Sequence, residues 1–383
     1  MTDTSSIITI KREALKNNIQ FIRRKIGKHI RLSSVVKSNA YGHGYKEMIP
    51  LLCDLGIDHF SVFNYYEARE VADHLTSDSD ILIMGYVSDD CIEDSLSRGF
   101  ELNCFSLDRI VSILEITLTT GMPAKIHLEV ETGMNRSGLS YDELNAAIGI
   151  LNDNPSSFKL IGFSTHLAGA ESIQNHLRIQ KQIKRYKQLL KHTEERGLTP
   201  EYRHIANSAA AFTYPKSRFD MVRTGIMQYG YWPGPEVFIH YIAQKSEKKD
   251  PLLRVLGWKT CVMSIKEVRT GDFIGYGLSY LAQTNMLIAL IPVGYTVGYS
   301  RALSNKGRVL IRGHRCSVIG LVNMNMIIAD ISNIEKVNIG DEVVLIGKQH
   351  DLEIKVSAFS EISDQLNYEV LTSLSESIER KVI

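Results

Sequence analysis

The chain has 383 residues, 44% hydrophobic and 23% charged, a composition typical of globular proteins with one to three domains. A net charge of +1 provides no strong field for binding nucleic acid or an anionic membrane, so neither partner is expected. No signal peptide is expected, and the best apolar run, residues 286–293, is too short to span a membrane. Five cysteines without a CxxC pair predict reduced thiols in a cytoplasmic protein.

Residues 30–230 alternate between short apolar runs typical of strands and longer stretches with helical periodicity. We predict strands at 32–37, 59–63, 81–84, 101–105, 125–130, 160–165, 202–205 and 221–223. The clearest helices are at 65–74, 107–119, 141–151 and 171–196. Eight alternating strands predict an α/β fold with an N-terminal (β/α)8 barrel, to which we assign residues 11–244. A doubly wound open sheet is the alternative, but no GxGxxG loop follows any of these strands.

The chain changes character after about residue 245. A charged run ending in proline, residues 245–251, is suited to a linker or an exposed loop. Runs rich in β-forming residues follow at 259–267, 286–293, 308–311, 316–319, 326–331 and 342–346. We therefore predict a C-terminal β-rich domain over residues 245–383, joined by an N-terminal strand at residues 1–10.

The most informative segment, residues 35–44, reads Val-Val-Lys-Ser-Asn-Ala-Tyr-Gly-His-Gly. Lys37 follows an apolar strand, where dehydration lowers the pKa of an amine and lets it act as a nucleophile. Tyr41 and two glycines come next, and glycine allows a backbone to approach a ligand closely. The segment predicts a Schiff-base lysine beside an anion site. A surface lysine at the end of a strand would have the same local pattern.

Other polar residues follow the predicted strands, where the active site of a (β/α)8 barrel lies. Taken alone, each has a structural explanation: His166 could be a hydrogen-bonded core histidine, and Arg136 one half of an ion pair. Their shared position at the ends of strands predicts one active site instead. The residues are Lys37, Arg136, His166, His204, Asn207, Ser208 and Arg223.

A phosphate site is predicted after the last two strands, where barrels of this kind often have one. Backbone N–H groups at a helix start or a glycine turn bind phosphate, and hydroxyls assist them. Ser208, at the start of an alanine-rich helix, and Gly225 with Ile226 supply such groups. A plain helix N-cap at Asn207 and Ser208 would use the same residues.

These motifs resemble those of the fold-type III pyridoxal-phosphate (PLP) enzymes, and specifically the alanine racemase family, over nearly the whole chain. The resemblance implies that Lys37 forms a Schiff base with PLP and that His166 packs on the pyridine ring. It also implies that Arg136 contacts the phenolic oxygen of the ring and that His204 supports Arg223. The residues that match the family's phosphate ligands are Tyr41, Ser208, Gly225, Ile226 and Tyr368, and we count Asn207 as cofactor-binding too.

Arg223 matches the residue that faces the pyridine nitrogen. A guanidinium only donates hydrogen bonds, so it favours an unprotonated ring nitrogen and makes the ring a weaker electron sink. The carbanion then stays near the α-carbon. We expect this to suppress transamination and to favour racemisation.

Racemisation needs proton transfer on both faces of the α-carbon, and Lys37 can serve one of them. Tyr276, in the sequence Gly-Tyr-Gly-Leu-Ser-Tyr at 275–280, matches the family's second base. A tyrosine with the usual pKa of ~10 is a poor base at neutral pH without a nearby cation or hydrogen bond. In the family this tyrosine comes from the other subunit, which implies a head-to-tail homodimer. A structural strand tyrosine is the alternative.

Several positions depart from the family's pattern. Glu129 stands where many members carry a carbamylated lysine, and we expect its carboxylate to face Arg136 in place of the carbamate. Arg136 and Met324 are expected to bind substrate, Met324 through its N–H, and Tyr295 to line the substrate corridor. Val297 stands where members of the family frequently carry an aspartate. Leu321 stands where they frequently carry an arginine, and Asn325 where they frequently carry an aspartate.

The sequence therefore predicts a PLP-dependent racemase that interconverts L- and D-alanine with Lys37 and Tyr276 as its two bases. The resemblance implies that it supplies D-alanine for cell-wall peptidoglycan. The alternatives are a racemase of serine or a broader range of amino acids, a decarboxylase of the same architecture, and a non-catalytic PLP-binding protein. Arg223 argues against the decarboxylase, and the C-terminal domain argues against the binding protein. The twelve histidines show no HxH or HExxH spacing, so no metal is expected.

Overall fold

The computed structural model describes residues 6–243 and 245–383. The chain folds into two compact units. The barrel unit comprises Ala14–Ser38 and Met48–Leu253. The β unit comprises Asn39–Glu47, Arg254–Ile383 and the described part of Met1–Glu13. None of the described helices has the length and hydropathy that a membrane span requires.

Short strands occur in both units, separated in the barrel unit by helices. In chain order they are β1 (Ser6–Ile10), β2 (Arg31–Val35), β3 (His59–Val62), β4 (Asp80–Ile83), β5 (Glu101–Cys104), β6 (Ala124–Glu129), β7 (Phe158–Ser164), β8 (Tyr202–His204), β9 (Met221–Thr224), β10 (Leu256–Cys261), β11 (Ser264–Val268), β12 (Met286–Ile291), β13 (Arg308–Ile311), β14 (His314–Ile319), β15 (Ile327–Asp330), β16 (Glu342–Gln349), β17 (Leu352–Ile354) and β18 (Glu379–Val382).

Eight parallel strands form the sheet of the barrel unit, in the order β8-β7-β6-β5-β4-β3-β2-β9. Two backbone hydrogen bonds join its ends: the N–H of Asp220 donates to Arg203 O at 3.1 Å, and the N–H of Arg223 donates to Ala206 O at 3.0 Å. The eight predicted strands are all present, with ends that differ by at most two residues. The predicted barrel is therefore confirmed, and the open doubly wound sheet is excluded.

Local sequence explains several helix ends. Ser140 and Glu143 form a capping box at the start of the helix Tyr141–Asp153, and Gly121 ends the helix Leu107–Thr120 in the left-handed conformation. The helix predicted at 171–196 begins later, because the side chain of Ser172 caps a separate 3-10 turn ahead of it. The helices are α1 (Arg12–Ile26), α2 (Lys37–Tyr41), α3 (Tyr45–Asp54), α4 (Tyr65–Asp73), α5 (Asp89–Ser97), α6 (Leu107–Thr120), α7 (Tyr141–Asp153), α8 (His176–Glu195), α9 (Ser208–Thr213), α10 (Pro235–Ala243), α11 (Val356–Ser363) and α12 (Asn367–Thr372).

The β unit is built on one sheet, in the order β11-β12-β15-β14-β13-β16-β10-β1-β18, with β17 paired to β16. β1 pairs antiparallel with β10 and parallel with β18. The single run predicted at 259–267 is two strands, because the chain changes partners there. The N–H of Val262 donates to Asp341 O, and the N–H of Met263 donates to Leu290 O. The prediction of a C-terminal β-rich domain is confirmed.

Candidate active site

The segment that follows β2 forms a left-handed helical turn. β2 ends at Val35 and α2 begins at Lys37, so the prediction that Lys37 ends the strand is wrong. Four consecutive residues, from Ser38 to Tyr41, have φ between 52° and 55°. Each L-residue in a left-handed helix costs roughly 1–2 kcal/mol, so contacts with other parts of the chain must hold this turn.

Side-chain hydrogen bonds provide those contacts. In the barrel unit, the two carboxylate oxygens of Glu67 accept from the N–H of Ser38 at 2.6 Å and from the N–H of Phe63 at 2.7 Å. In the β unit, the N–H of Asn39 donates to the Tyr45 hydroxyl at 3.1 Å, and the N–H of Tyr45 donates to Asn39 Oδ1 at 2.9 Å. The backbone next to Lys37 is therefore fixed by tertiary contacts.

Three cationic side chains of the barrel unit disfavour protonation of His166. Burial, together with the charges of Arg223, Arg136 and Lys37, lowers the pKa of His166 to about 3. Burial also lowers the pKa of the Lys37 amine, while Glu67 opposes that shift and Arg136 adds to it. His166 is thus a neutral ring at physiological pH, and more of Lys37 is the free amine that can act as a nucleophile. The excess positive charge suits an anionic ligand.

Arg223 is buried and held by three hydrogen bonds. Its Nη1 donates to Nδ1 of His204 and to the His204 carbonyl oxygen, the latter at 3.2 Å, and its Nη2 donates to Thr165 O at 3.1 Å. A guanidinium has five N–H hydrogens. The hydrogen on Nε and the second hydrogen on Nη2 have no acceptor among the described residues. They are available to a ligand atom that accepts, such as a ring nitrogen.

Glu129 is held by two neutral side chains. Its Oε1 accepts from Ser137 Oγ at 2.7 Å, and its Oε2 accepts from Asn103 Nδ2 at 2.6 Å. Within the described part of the chain, Glu129 forms no ion pair with Arg136, which is exposed. Burial lowers the pKa of Arg223, and the Glu129 charge opposes that shift. The role of Glu129 as a replacement for the carbamate stays a prediction.

Ser208 and Gly225 connect the residues that follow β8 to those that follow β9. Asn207 caps α9, since its Oδ1 accepts from the N–H of Ala210 at 2.9 Å. Ser208 Oγ accepts from the N–H of Gly225 at 3.0 Å, which leaves the hydroxyl hydrogen to donate elsewhere. The N–H of Ile226, a residue only 1% exposed, has no acceptor among the described residues. A phosphate could accept from this hydroxyl and from this N–H.

Tyr41 and Tyr368 lie side by side in the β unit, with ring centroids 6.0 Å apart. Gly42 follows Tyr41 with φ of +77°, and a Cβ built on it would lie 2.0 Å from Leu371 O. Only glycine fits between these two backbones. The backbone after α2 therefore packs directly against α12, the helix that carries Tyr368.

Tyr276 lies in a hairpin of the β unit between β11 and β12. A bridge between Phe273 and Leu281 closes the hairpin, and Tyr276 is 73% exposed near its tip. Tyr295 and Met324 are also exposed in this unit. The N–H of Met324 has no acceptor among the described residues, so it can donate to a ligand.

Sequence reasoning missed several polar residues of the barrel unit. Glu67, in the first turn of α4, is distant from Lys37 in the chain and could not be linked to it. His59, Glu101 and His127 are at most 1% exposed, and a ligand atom from each lies within 4.8 Å of the others. These residues could have been found from one signal in the sequence: polar residues at alternate positions of otherwise apolar strands. Residues at such positions point to the same face of a sheet. These pairs are His59 with Ser61, Glu101 with Asn103, and His127 with Glu129.

The chain is similar to known proteins over its whole length. The family model "Alanine racemase, N-terminal domain" matches residues 10–233, and "Alanine racemase, C-terminal domain" matches residues 255–382. The alanine racemase of Desulforamulus reducens is 34% identical over 375 residues, which cover 98% of each chain. A solved alanine racemase of Clostridium difficile 630 has a TM-score of 0.91 at 29% identity, covering 100% of this chain and 97% of that one. An alanine racemase of Bartonella henselae, solved with covalently bound pyridoxal phosphate, has a TM-score of 0.84 at 26% identity, covering 99% of both chains.

Proposed function

We propose that this chain, which belongs to the alanine racemase family and interconverts L- and D-alanine, binds PLP covalently through Lys37 and moves the α-proton with Lys37 and Tyr276. The observation that carries the proposal is the buried guanidinium of Arg223 in the barrel unit. His204 and Thr165 hold it, and two of its N–H hydrogens have no acceptor among the described residues. The alternative of a serine racemase gains no support from the relatives described above, which are alanine racemases.

The groups of the barrel unit fit the parts of PLP. The amine of Lys37, with its lowered pKa, suits the aldehyde. The Ser208 hydroxyl and the Ile226 N–H suit the phosphate, and the uncharged ring of His166 suits a pyridine face. When bound, PLP withdraws electrons from the α-carbon of an amino acid and so acidifies the α-proton.

Arg223 would determine where negative charge resides during the reaction. Its remaining N–H hydrogens can only donate, so Arg223 would hold a ring nitrogen as an unprotonated acceptor. That would keep negative charge near the α-carbon, where the proton is returned. This bias favours racemisation over transamination.

Lys37 and Tyr276 would exchange roles with the direction of the reaction. The substrate amine would take the place of Lys37 on the cofactor and so release Nζ as a free amine. That Nζ would accept the α-proton from one face, and the Tyr276 hydroxyl would donate a proton to the opposite face. In the reverse direction the phenolate accepts and the ammonium donates. Met324 is exposed and its N–H has no acceptor among the described residues, which supports its proposed role as a donor to the substrate carboxylate.

We also propose a head-to-tail homodimer in which Tyr276 reaches the barrel of a second copy. The proposal is supported by the hairpin near Tyr276, where Phe273 and Leu278 are 50% and 69% exposed. Ile274 and Ala282 anchor this hairpin in a buried cluster. An apolar surface on a fixed support is typical of a protein–protein contact.

Cytoplasmic location and the supply of D-alanine for peptidoglycan are proposals as well. All five cysteines are free thiols, which agrees with a reducing compartment. Family membership supports the biosynthetic role.

The deciding experiment is incubation of the purified protein with PLP and L-alanine in D2O, followed by chiral analysis with isotope detection. We expect D-alanine that carries deuterium on the α-carbon. D-alanine formation that does not depend on PLP would contradict the cofactor assignment. Inactivity of a protein that is monomeric by sedimentation, with activity in its dimeric fraction, would support the shared site, whereas an active monomer would refute it.

A further inference from the structure

A continuous chain of hydrogen bonds runs through the barrel interior from Arg223 to Glu101. Nη1 of Arg223 donates to Nδ1 of His204, His204 Nε2 lies 2.8 Å from His127 Nδ1, and His127 Nε2 lies 2.7 Å from Glu101 Oε2. All four residues are at most 8% exposed. The same carboxylate oxygen lies 3.0 Å from Nε2 of His59. We call the four residues Glu101, His127, His204 and Arg223 the histidine chain.

The two ends of the histidine chain determine the direction of every hydrogen bond in it. A guanidinium has only donors, so Nδ1 of His204 must accept, and a neutral His204 must carry its hydrogen on Nε2. That hydrogen is donated to Nδ1 of His127, so the His127 hydrogen lies on Nε2 and faces Glu101. A carboxylate has only acceptors, so the end at Glu101 requires the same order as the end at Arg223.

The rings of the histidine chain are neutral, and its carboxylate is ionised. Burial lowers the pKa of His127 and of His204. Burial would raise the pKa of Glu101, but hydrogen bonds from His127 and His59 lower it below its usual value. Two neutral rings therefore connect the buried anion to the buried cation.

We propose that Glu101 is a positioning residue for racemisation: it orders the hydrogens of His127 and His204, so that His204 holds Arg223 in place. This role rests on the proposed function of Arg223 as the residue that faces the ring nitrogen of PLP. Without an anion at Glu101, the two rings could reverse their hydrogens. A hydrogen on Nδ1 of His204 would then face the donors of Arg223, and Arg223 would lose an acceptor.

A metal ion bound by His59, Glu101 and His127 is the competing interpretation. Ligand atoms ~2.1 Å from a tetrahedral zinc are roughly 3.4 Å apart. Oε2 of Glu101 is instead 2.7 Å and 3.0 Å from the two histidine nitrogens, and these are hydrogen-bond lengths. The distances therefore favour ordered hydrogen bonds over a metal site.

The test is the tautomer of each ring, measured by long-range 1H–15N NMR on the full-length protein labelled with [15N]histidine, with and without PLP. We expect His127 and His204 to be neutral, with hydrogen on Nε2 only. Glu101→Gln keeps the shape of the side chain and removes its charge, and charge-assisted hydrogen bonds are roughly twice as strong as neutral ones. In this variant we expect a second tautomer of His204, a kcat lower by roughly tenfold with little change in KM, and more turnovers that end in transamination.

Ser61→Ala is the matched control. Ser61 lies in the same interior and bonds to Ser33 at 2.7 Å, on the branch beyond His59 and outside the histidine chain. We expect it to leave both tautomers and the transamination fraction unchanged.

Three outcomes separate the possibilities. Hydrogen on Nδ1 of His127 or His204 in the unsubstituted protein would overturn the proposal, even if Glu101→Gln does not fold. Unchanged tautomers and transamination in a folded Glu101→Gln variant would overturn it too. The expected tautomers without racemisation of any amino acid would refute the proposed function and leave the ordered chain standing.

Discussion

Substitution of Gly42 measures how closely two backbone segments of the β unit pack, the one that follows Tyr41 and the one at Leu371 in α12. Gly42→Ala adds a methyl group where φ is +77° and where Cβ would lie 2.0 Å from Leu371 O. The left-handed conformation costs an L-residue roughly 1–2 kcal/mol, and relieving an overlap in a packed region adds about 1–3 kcal/mol. We therefore expect the free energy of unfolding to fall by about 2–5 kcal/mol in this variant.

Gly56→Ala separates the two contributions. Gly56 has nearly the same conformation, with φ of +75°, but no atom lies within 4 Å of a Cβ built on it. The free energy of unfolding of Gly56→Ala should fall only by the cost of the left-handed conformation, about 1–2 kcal/mol. Urea denaturation followed by circular dichroism compares the two variants with the unsubstituted protein.

The same substitution should weaken cofactor binding. To relieve the overlap, either the backbone that follows Tyr41 or that of α12, which carries Tyr368, must move. The family resemblance implies that both tyrosines hold the phosphate. Spectroscopic titration with PLP should show lower affinity for Gly42→Ala and unchanged affinity for Gly56→Ala. Equal losses of stability and equal affinities in the two variants would refute the close-packing argument.

Three further outcomes are expected. Lys37→Ala should lose the covalent cofactor, so that borohydride reduction and mass spectrometry find no PLP on the chain, whereas Lys46→Ala, at an exposed position, should retain one PLP. Tyr276→Phe should lower racemisation by ~10²–10⁴-fold and retain the cofactor, while Tyr280→Phe in the same hairpin should stay near full activity; near-normal activity of Tyr276→Phe would exclude it as a base. Burial lowers the pKa of His43 to about 4. Between about pH 6.5 and pH 4, His43 is therefore protonated in the unfolded state and neutral in the folded state. Stability should fall as the pH falls through this window, and urea midpoints of His43→Gln should show a shallower fall.

The strand pattern of the barrel was predictable because hydrophobic period and turn residues are local properties. Residues 125–130 and 160–165 are short apolar runs separated by a helix with a clear capping signal, and the structure has β6, α7 and β7 there. Placing Lys37, His166 and Arg223 in one site needed only one further rule. In a parallel barrel the strands all end on the same side, so residues that follow them meet.

Other features depend on contacts between residues far apart in the chain. The run at 259–267 looks continuous, and only its change of hydrogen-bond partners divides it into β10 and β11. Glu129 looked like a partner for Arg136, but Ser137 and Asn103 hold its carboxylate. Secondary-structure propensity and residue spacing do not show which of two possible hydrogen-bonding partners lies within hydrogen-bond distance.

The sequence by itself determined the order of strands and helices, the lysine that follows the first barrel strand, and the family, because periodicity and motifs are written in consecutive residues. The tertiary structure alone decided that α2 is left-handed, since no L-residue prefers that conformation and Glu67 must hold it from another helix. It also decided that Glu101, His127 and His204 form an ordered path to Arg223. Strand register in a closed barrel sets which polar side chains come within hydrogen-bond distance, and four separate strands contribute to that path.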